Sequence, residues 1–231
     1  MASGGCIICG SDLIYLNESE SLQCSICKET ILSNARCVQG HFICDHCHEL
    51  DGFELIQQIC LKSSSTNPVE LANLIMSFPE IKMHGPEHHF LVPAVLITTY
   101  YNKTEKPGLI SEKLNKARER AKNIHGGFCG FYGTCGAGVG TGIFMSLILN
   151  STPLSKEEWK LSNLMTSKSL LEIANYGGPR CCKRDTFLSL ETSVDFVEEH
   201  LNIKLDKSTV KCKFFERNKE CKNQECKYYP G

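Results

Sequence analysis

The sequence predicts a mainly α-helical core domain preceded by a small zinc-binding module of cross-brace or ribbon type. Three observations carry this. Paired cysteines crowd the first fifty residues, and helix-start signals recur in front of apolar segments between residues 67 and 203. That same span shows no convincing alternation of apolar and polar residues, the pattern a half-buried strand requires.

Taken in order, residues 1–50 form the metal-binding module, in which seven cysteines lie between Cys6 and Cys47. Residues 51–66 are a helix and linker: "FELIQQICL" has helical spacing, with Cys60 as a small buried hydrophobe, and "KSSSTNP" is polar and ends in proline. The helical core spans 67–203. Asn67, Pro68 and Glu70 supply an N-cap, a first-position proline and an acidic first turn for "PVELANLIMSF". Pro86 and Glu87 open a second helix through "HHFLVPAVLITTYYN", where Pro93 is expected to kink or break it. "LISEKLNKARERAKNI" is amphipathic, and "GVGTGIFMSLILN" is apolar enough for a central buried helix. Ser155 and Glu158 have capping-box spacing before "EEWKLSNLMTSKSLLEIANYGG", which its glycines end. "DTFLSLETSVDFVEEHLN" is the last long helix, and 204–231 is a basic, cysteine-containing tail.

Composition narrows the function. With 231 residues, 42% apolar, 22% charged and a net charge of −1, the chain suits an ordinary soluble globular protein. The apolar runs "FLVPAVLITTYY" and "GIFMSLIL" fall short of the roughly 20 residues that span a bilayer, so no membrane is implied. The start, "MASGGCIICG", lacks the basic-then-apolar pattern of a signal peptide. Fifteen cysteines without a secretion signal indicate a reducing, cytoplasmic setting where thiols hold metals, compatible with oxygen-sensitive chemistry in an anaerobe.

The N-terminal ligands are Cys6 and Cys9, Cys24 and Cys27, Cys37 and His41, and Cys44 and Cys47. Eight donors make two tetrahedral sites, hence two zinc ions. In "CSICKETILSNARCVQGHFICDHC" the order resembles the first six ligands of a RING cross-brace, with the fourth pair upstream as "CIIC". The preferred pairing is interleaved, first pair with third and second with fourth. His46 and His48 are alternative donors.

Three histidines and a glutamate gather in "MHGPEHHFLVPAVL": His84, Glu87, His88 and His89 stand at a helix start, where an anion is favoured and imidazoles can move protons. The stretch "HGGFCGFYGTCGAGVGTGIF" (125–144) has eight glycines. No buried strand precedes it, against a dinucleotide loop, and no lysine follows, against a phosphate loop. Two uses of its cysteines remain. Cys135 at a helix start could be a nucleophile served by His84, His88 or His125. Alternatively Cys135 joins Cys181 and Cys182 of "GGPRCCKRD", with Cys129 in reserve, around an iron–sulfur cluster that keeps one iron open. Arg180, Lys183 and Arg184 would then meet a small anionic substrate.

From about residue 67 onward, the motifs "MHGPEHHFLVPAVL", "GGFCGFYGTCGAGVGTGIF" and "GGPRCCKRDTFLSLE" resemble an uncharacterised cysteine-rich family of methanogenic archaea and other anaerobes. A fainter similarity is to the L-cysteine desulfidase and L-serine dehydratase α-subunit superfamily. That resemblance implies an all-helical domain with a catalytic [4Fe–4S] cluster and lyase-like or sulfur-handling chemistry. The superfamily's further cysteine after the last turn has no counterpart in "KRDTFLSLE".

In the tail, Cys212, Cys221 and Cys226 could form a further metal site with a histidine from elsewhere. Eight Lys or Arg against four Asp or Glu between Lys204 and Lys227, interleaved with aromatic rings, also suit RNA or a protein partner. The competing reading from another class is therefore a zinc-stabilised adaptor without catalysis.

Overall fold

A computed structural model describes residues 6–231; residues 1–5, where the segment read as lacking a signal sequence begins, lie outside the described residues. The fold class is as the sequence predicts. A two-stranded hairpin with cysteine turns leads into a helical body, and among the described residues no helix is long and apolar enough to cross a membrane.

Strands β1 (Leu13–Gln23) and β2 (Thr30–Cys37) pair antiparallel from Leu13 opposite Cys37 to Gln23 opposite Thr30, with a register irregularity between Tyr15 and Glu20. The turn between them is a cysteine knuckle: Cys24 N–H donates to Glu29 O at 2.8 Å, and Lys28 sits at φ 64°. The loops at Cys6–Cys9 and Cys37–His41 close similarly, with Gly10 and Gly40 at positive φ. Each turn needs one left-handed residue after its first donor, and glycine takes that conformation without strain. Cys44 and Cys47 bracket the start of the short helix α1 (Asp45–His48).

Helix α2 (Gly52–Lys62) begins with a capping box between Asp51 and Glu54. Helix α3 (Pro68–Ser77) has the expected Asn67 cap, whose Oδ1 accepts from Val69 and Glu70 N–H at 3.1 and 3.2 Å. The loop between them is held by Asn102, whose Nδ2 donates to the carbonyls of Ser63 and Ser65. Helix α4 (Glu87–Lys103) is buried nearly all round and is the axis of the body, touching α2, α3, α5 (Ile110–Lys122), α7 (Gly136–Ile148) and α9 (Cys182–Leu201).

Helix α7 (Gly136–Ile148), preceded by the single turn α6 (Phe128–Phe131), packs between α4 and α8 (Glu157–Tyr176); α9 (Cys182–Leu201) closes the bundle against α4, α7 and α8. The glycines of "GAGVGTG" permit these crossings. A Cβ on Gly140 would lie 2.8 Å from Pro93 Cδ and 3.2 Å from His89 O, and one on Gly138 would lie 2.7 Å from Leu170 Cδ2.

Two local expectations are amended. Pro93 does not break α4, which runs unbroken; the His89 carbonyl, deprived of its donor by the proline, faces the bare Cα of Gly140 instead. The capping box at Ser155 and Glu158 does not form: Lys156 is the N-cap residue without a side-chain bond, because the Ser155 hydroxyl instead accepts from Thr152 N–H at 3.0 Å.

Cys24, Ile26, Cys44 and Cys47 of the hairpin module belong to the same contiguous apolar cluster as Leu55 and Ile56 of α2 and Phe90 of α4. The tail after α9 carries only two single 3₁₀ turns, Phe215–Arg217 and Asn223–Glu225.

Candidate metal centres and a thiol-lined cleft

Two groups of four donors could each hold a metal ion: Cys6, Cys9, Cys37 and His41, and Cys24, Cys27, Cys44 and Cys47. Within each group the donor atoms all lie within 4.8 Å of one another. Cys9 and Cys37 Sγ are 3.4 Å apart, Cys27 and Cys44 Sγ 3.8 Å, and Cys6 Sγ and His41 Nδ1 3.7 Å. A tetrahedron of thiolates about 2.3 Å from one ion has edges of about 3.8 Å, so these spacings fit. The pairing is the interleaved one, first pair with third and second with fourth. It arises because the hairpin carries one knuckle at its turn and brings Cys37 back beside the Cys6 loop. Backbone N–H groups of Gln39 and Cys44 reach Cys37 and Cys24 Sγ at 3.3 and 3.5 Å, hydrogen bonds that suit thiolates. His46 and His48 are exposed and belong to neither group.

In the body, an open cleft with about 1270 Å³ of atom-free space, open solvent included, lies between the glycine loop of 127–133, α8 and the start of α9. Cys129, Cys135, Arg180, Arg184 and Asp185 line it. Cys135 is the N-cap residue of α7, and its sulfur faces the N–H groups of Ala137 and Gly138. Burial, reinforced by the Asp185 charge, pushes its thiol up to about 12. Cys182 is the first residue of α9; Gly85 N–H points at its sulfur, and it is close enough to Cys129 and Cys135 for their charges to interact. Burial raises its pKa as well. Arg184 Nε donates to Asp185 Oδ1 at 3.0 Å, both side chains being almost wholly buried. Burial nevertheless holds the Asp185 carboxyl above the usual carboxylate range, with Oδ2 3.9 Å from Cys135 Sγ.

The other residues singled out in the sequence fall elsewhere. Cys181, adjacent to Cys182, caps α9 from the opposite side and lines a separate recess with the tail. Lys183 does not face the cleft. One helical step turns it inward, where its ammonium donates to Ile81 O at 3.1 Å and lies 5.0 Å from the centre of the Phe214 ring. Burial lowers it to about 7. His84 turns to the tail, with Nε2 3.2 Å from Asn218 Oδ1 and 3.3 Å from Glu220 Oε2. Glu87 and His88 are buried and do not reach the cleft; His88 Nδ1 bonds Gly85 O, and burial lowers this imidazole well below 6.5. His89 Nδ1 donates to Ile124 O at 3.0 Å, and its ring lies flush on Gly136, where a Cβ would come within 2.1 Å of it. None of these histidines lines the cleft, and of the three only His89 packs against the start of α7 that carries Cys135. In the tail, the rings of Phe214 and Tyr228 are buried and unavailable for base stacking.

Sequence reasoning missed Asp185. The signal was the acidic residue four positions after Cys181, one turn into the helix, hidden by the basic run before it.

Residues 56–229 match a protein family described as "Family of unknown function (DUF5714)". No curated protein and no solved structure matches the chain.

Proposed function

The chain belongs to that family, whose description names no activity, and we propose that it is a metal-dependent enzyme acting on a small anionic substrate in the thiol-lined cleft. Cys129, Cys135 and Cys182 would hold an iron–sulfur cluster there, and zinc would fill the two N-terminal sites. The observation that carries this reading is the meeting, in one open cleft, of Cys129, Cys135, two arginines and the buried Asp185, with Cys182 alongside.

The residues fit such a cluster in three respects. Three thiols leave one iron without a protein ligand. The N-terminus of α7 points the N–H groups of Ala137 and Gly138 at the Cys135 sulfur, and Gly85 N–H points at that of Cys182, so both favour the cluster's negative charge. The raised thiols of Cys135 and Cys182 make poor free nucleophiles near neutral pH, which argues against the cysteine-nucleophile alternative, whereas iron would deprotonate them. When bound, the cluster supplies a Lewis acid at its open iron.

The chain's own residues supply the rest. Arg180, exposed at the cleft wall, pairs with a substrate carboxylate; Arg184 is already committed to Asp185 and fixes that carboxyl. Asp185 Oδ2, on the cleft wall, holds or takes a proton. Gly136 lets His89 approach the start of α7 and so fixes Cys135.

The test is anaerobic purification followed by metal and sulfide analysis and by assays of sulfide release from L-cysteine and pyruvate formation from L-serine. Iron and sulfide that depend on Cys135 and Cys182, with turnover lost on Arg180→Ala, support the reading. Zinc alone, with no charge-transfer absorbance, sinks it.

A further inference from the structure

Away from the cleft, the tail folds back so that Cys212, Cys221 and Cys226 surround a recess whose fourth corner is Cys181, from the start of α9. The recess has about 430 Å³ of atom-free space, open solvent included, and Phe187, Phe214 and Tyr228, all buried, form the apolar part of its wall. We propose that these four cysteines bind a [4Fe–4S] cluster, separate from the cleft and with no open iron.

The contrast with the N-terminal sites is the first argument. There this chain gathers four donors within 4.8 Å of one another; around the recess, no three thiols are so close among the described residues. A single tetrahedral ion needs the tight arrangement, with edges of about 3.8 Å. A cubane spreads its thiolates outward, because each sulfur binds a different iron at a different corner.

The second argument is that the thiols are already arranged as acceptors. Cys181 Sγ accepts from Arg184 N–H and from Asn218 Nδ2, both at 3.5 Å. Cys212 and Cys221 accept from the N–H groups of Phe214 and Asn223 at 3.4 Å each. Hydrogen bonds to the sulfurs stabilise a cluster's negative charge, and of the charged residues on the recess wall the cations Arg184 and Lys222 outnumber the one carboxylate, Glu220.

The third argument is architectural. From residue 203 onward the chain has no α-helix or strand and only two single 3₁₀ turns, yet Phe214, Asn218 and Tyr228 within it are buried. A segment of this length without regular structure is uncommon in an ordered domain and calls for a staple. Cysteines 9 and 5 residues apart in sequence, joined to one from α9, supply it.

The experiment uses the full chain, purified anaerobically and supplied with ferrous iron and sulfide. Cys221→Ser and Cys226→Ser should each remove about four iron and four sulfide per chain and leave N-terminal zinc in place. Combined Cys129→Ser, Cys135→Ser and Cys182→Ser should keep that iron, so failure here and failure of the cleft reading are distinguishable. In the wild-type chain, iron–sulfide loading should protect Cys212, Cys221 and Cys226 from alkylation, a readout that needs no variant to fold. Iron content unchanged by the tail substitutions, zinc in place of iron at these residues, a disulfide among them, or equal alkylation with and without loading would overturn the proposal.

Discussion

Gly140→Ala tests the packing on which the cleft depends. The added methyl would lie 2.8 Å from Pro93 Cδ, 3.2 Å from Val92 Cβ and 3.2 Å from His89 O. All three belong to one turn of α4, and none is the free end of a flexible side chain. Overpacking of this kind costs about 1–3 kcal/mol. Alanine returns up to about 1 kcal/mol through its better helix propensity. The central values leave a net loss of about 1.5 kcal/mol, which for a chain of this size lowers the melting temperature by about 3–6 °C. Thermal unfolding followed by far-ultraviolet circular dichroism, at fixed metal content, measures it. Gly130→Ala is the control, since nothing lies within 4 Å of its added methyl. A Gly140→Ala protein as stable as wild type would refute the close-approach account of the glycine run.

Further outcomes follow from the same geometry. Cys24→Ser should lose one metal equivalent and destabilise the body more than Cys9→Ser, because Cys24 lies in the core cluster and Cys9 is exposed; metal counting and thermal melts compare them. Asn67→Ala should cost about 1 kcal/mol through loss of the α3 cap, read by denaturant titration. His88 has a folded pKa far below its ordinary 6.5, so the unfolded chain binds more protons below that pH. Its stability contribution is thus complete above pH 6.5 and is lost as pH falls below it. Against His88→Gln, the wild-type chain should lose stability more steeply between pH 6.5 and acid, and parallel curves would contradict this.

Much of this was legible where chemistry is local. The cap at Asn67 and the paired donors of the hairpin follow from short spacings, and the interleaved pairing follows from their order. Apolar continuity marked α7 as buried, and its glycines marked close approach. Legibility failed where two plausible partners competed: Ser155 satisfies Thr152 instead of a helix start. The strands were hard to see because β1 is largely exposed on both faces, so burial imposes no alternation. Cys181 and Cys182 read as one motif, yet a capping residue and a first helical residue point in different directions, which only the placement of the tail and the glycine loop reveals. Lys183 read as part of a basic turn for the same reason.

The shared apolar cluster beneath the hairpin has a practical consequence. Residue 56, where the family match begins, falls in the middle of α2, whose Leu55, Ile56 and Ile59 are buried in one cluster with Cys24, Ile26, Cys44 and Cys47. A fragment cut to the family boundary would begin inside a helix, without its Asp51 cap and with a greasy flank turned to water. The cysteine turns therefore sit in the bundle as a stopper, and loss of their fold should loosen α2 before it disturbs anything nearer the cleft.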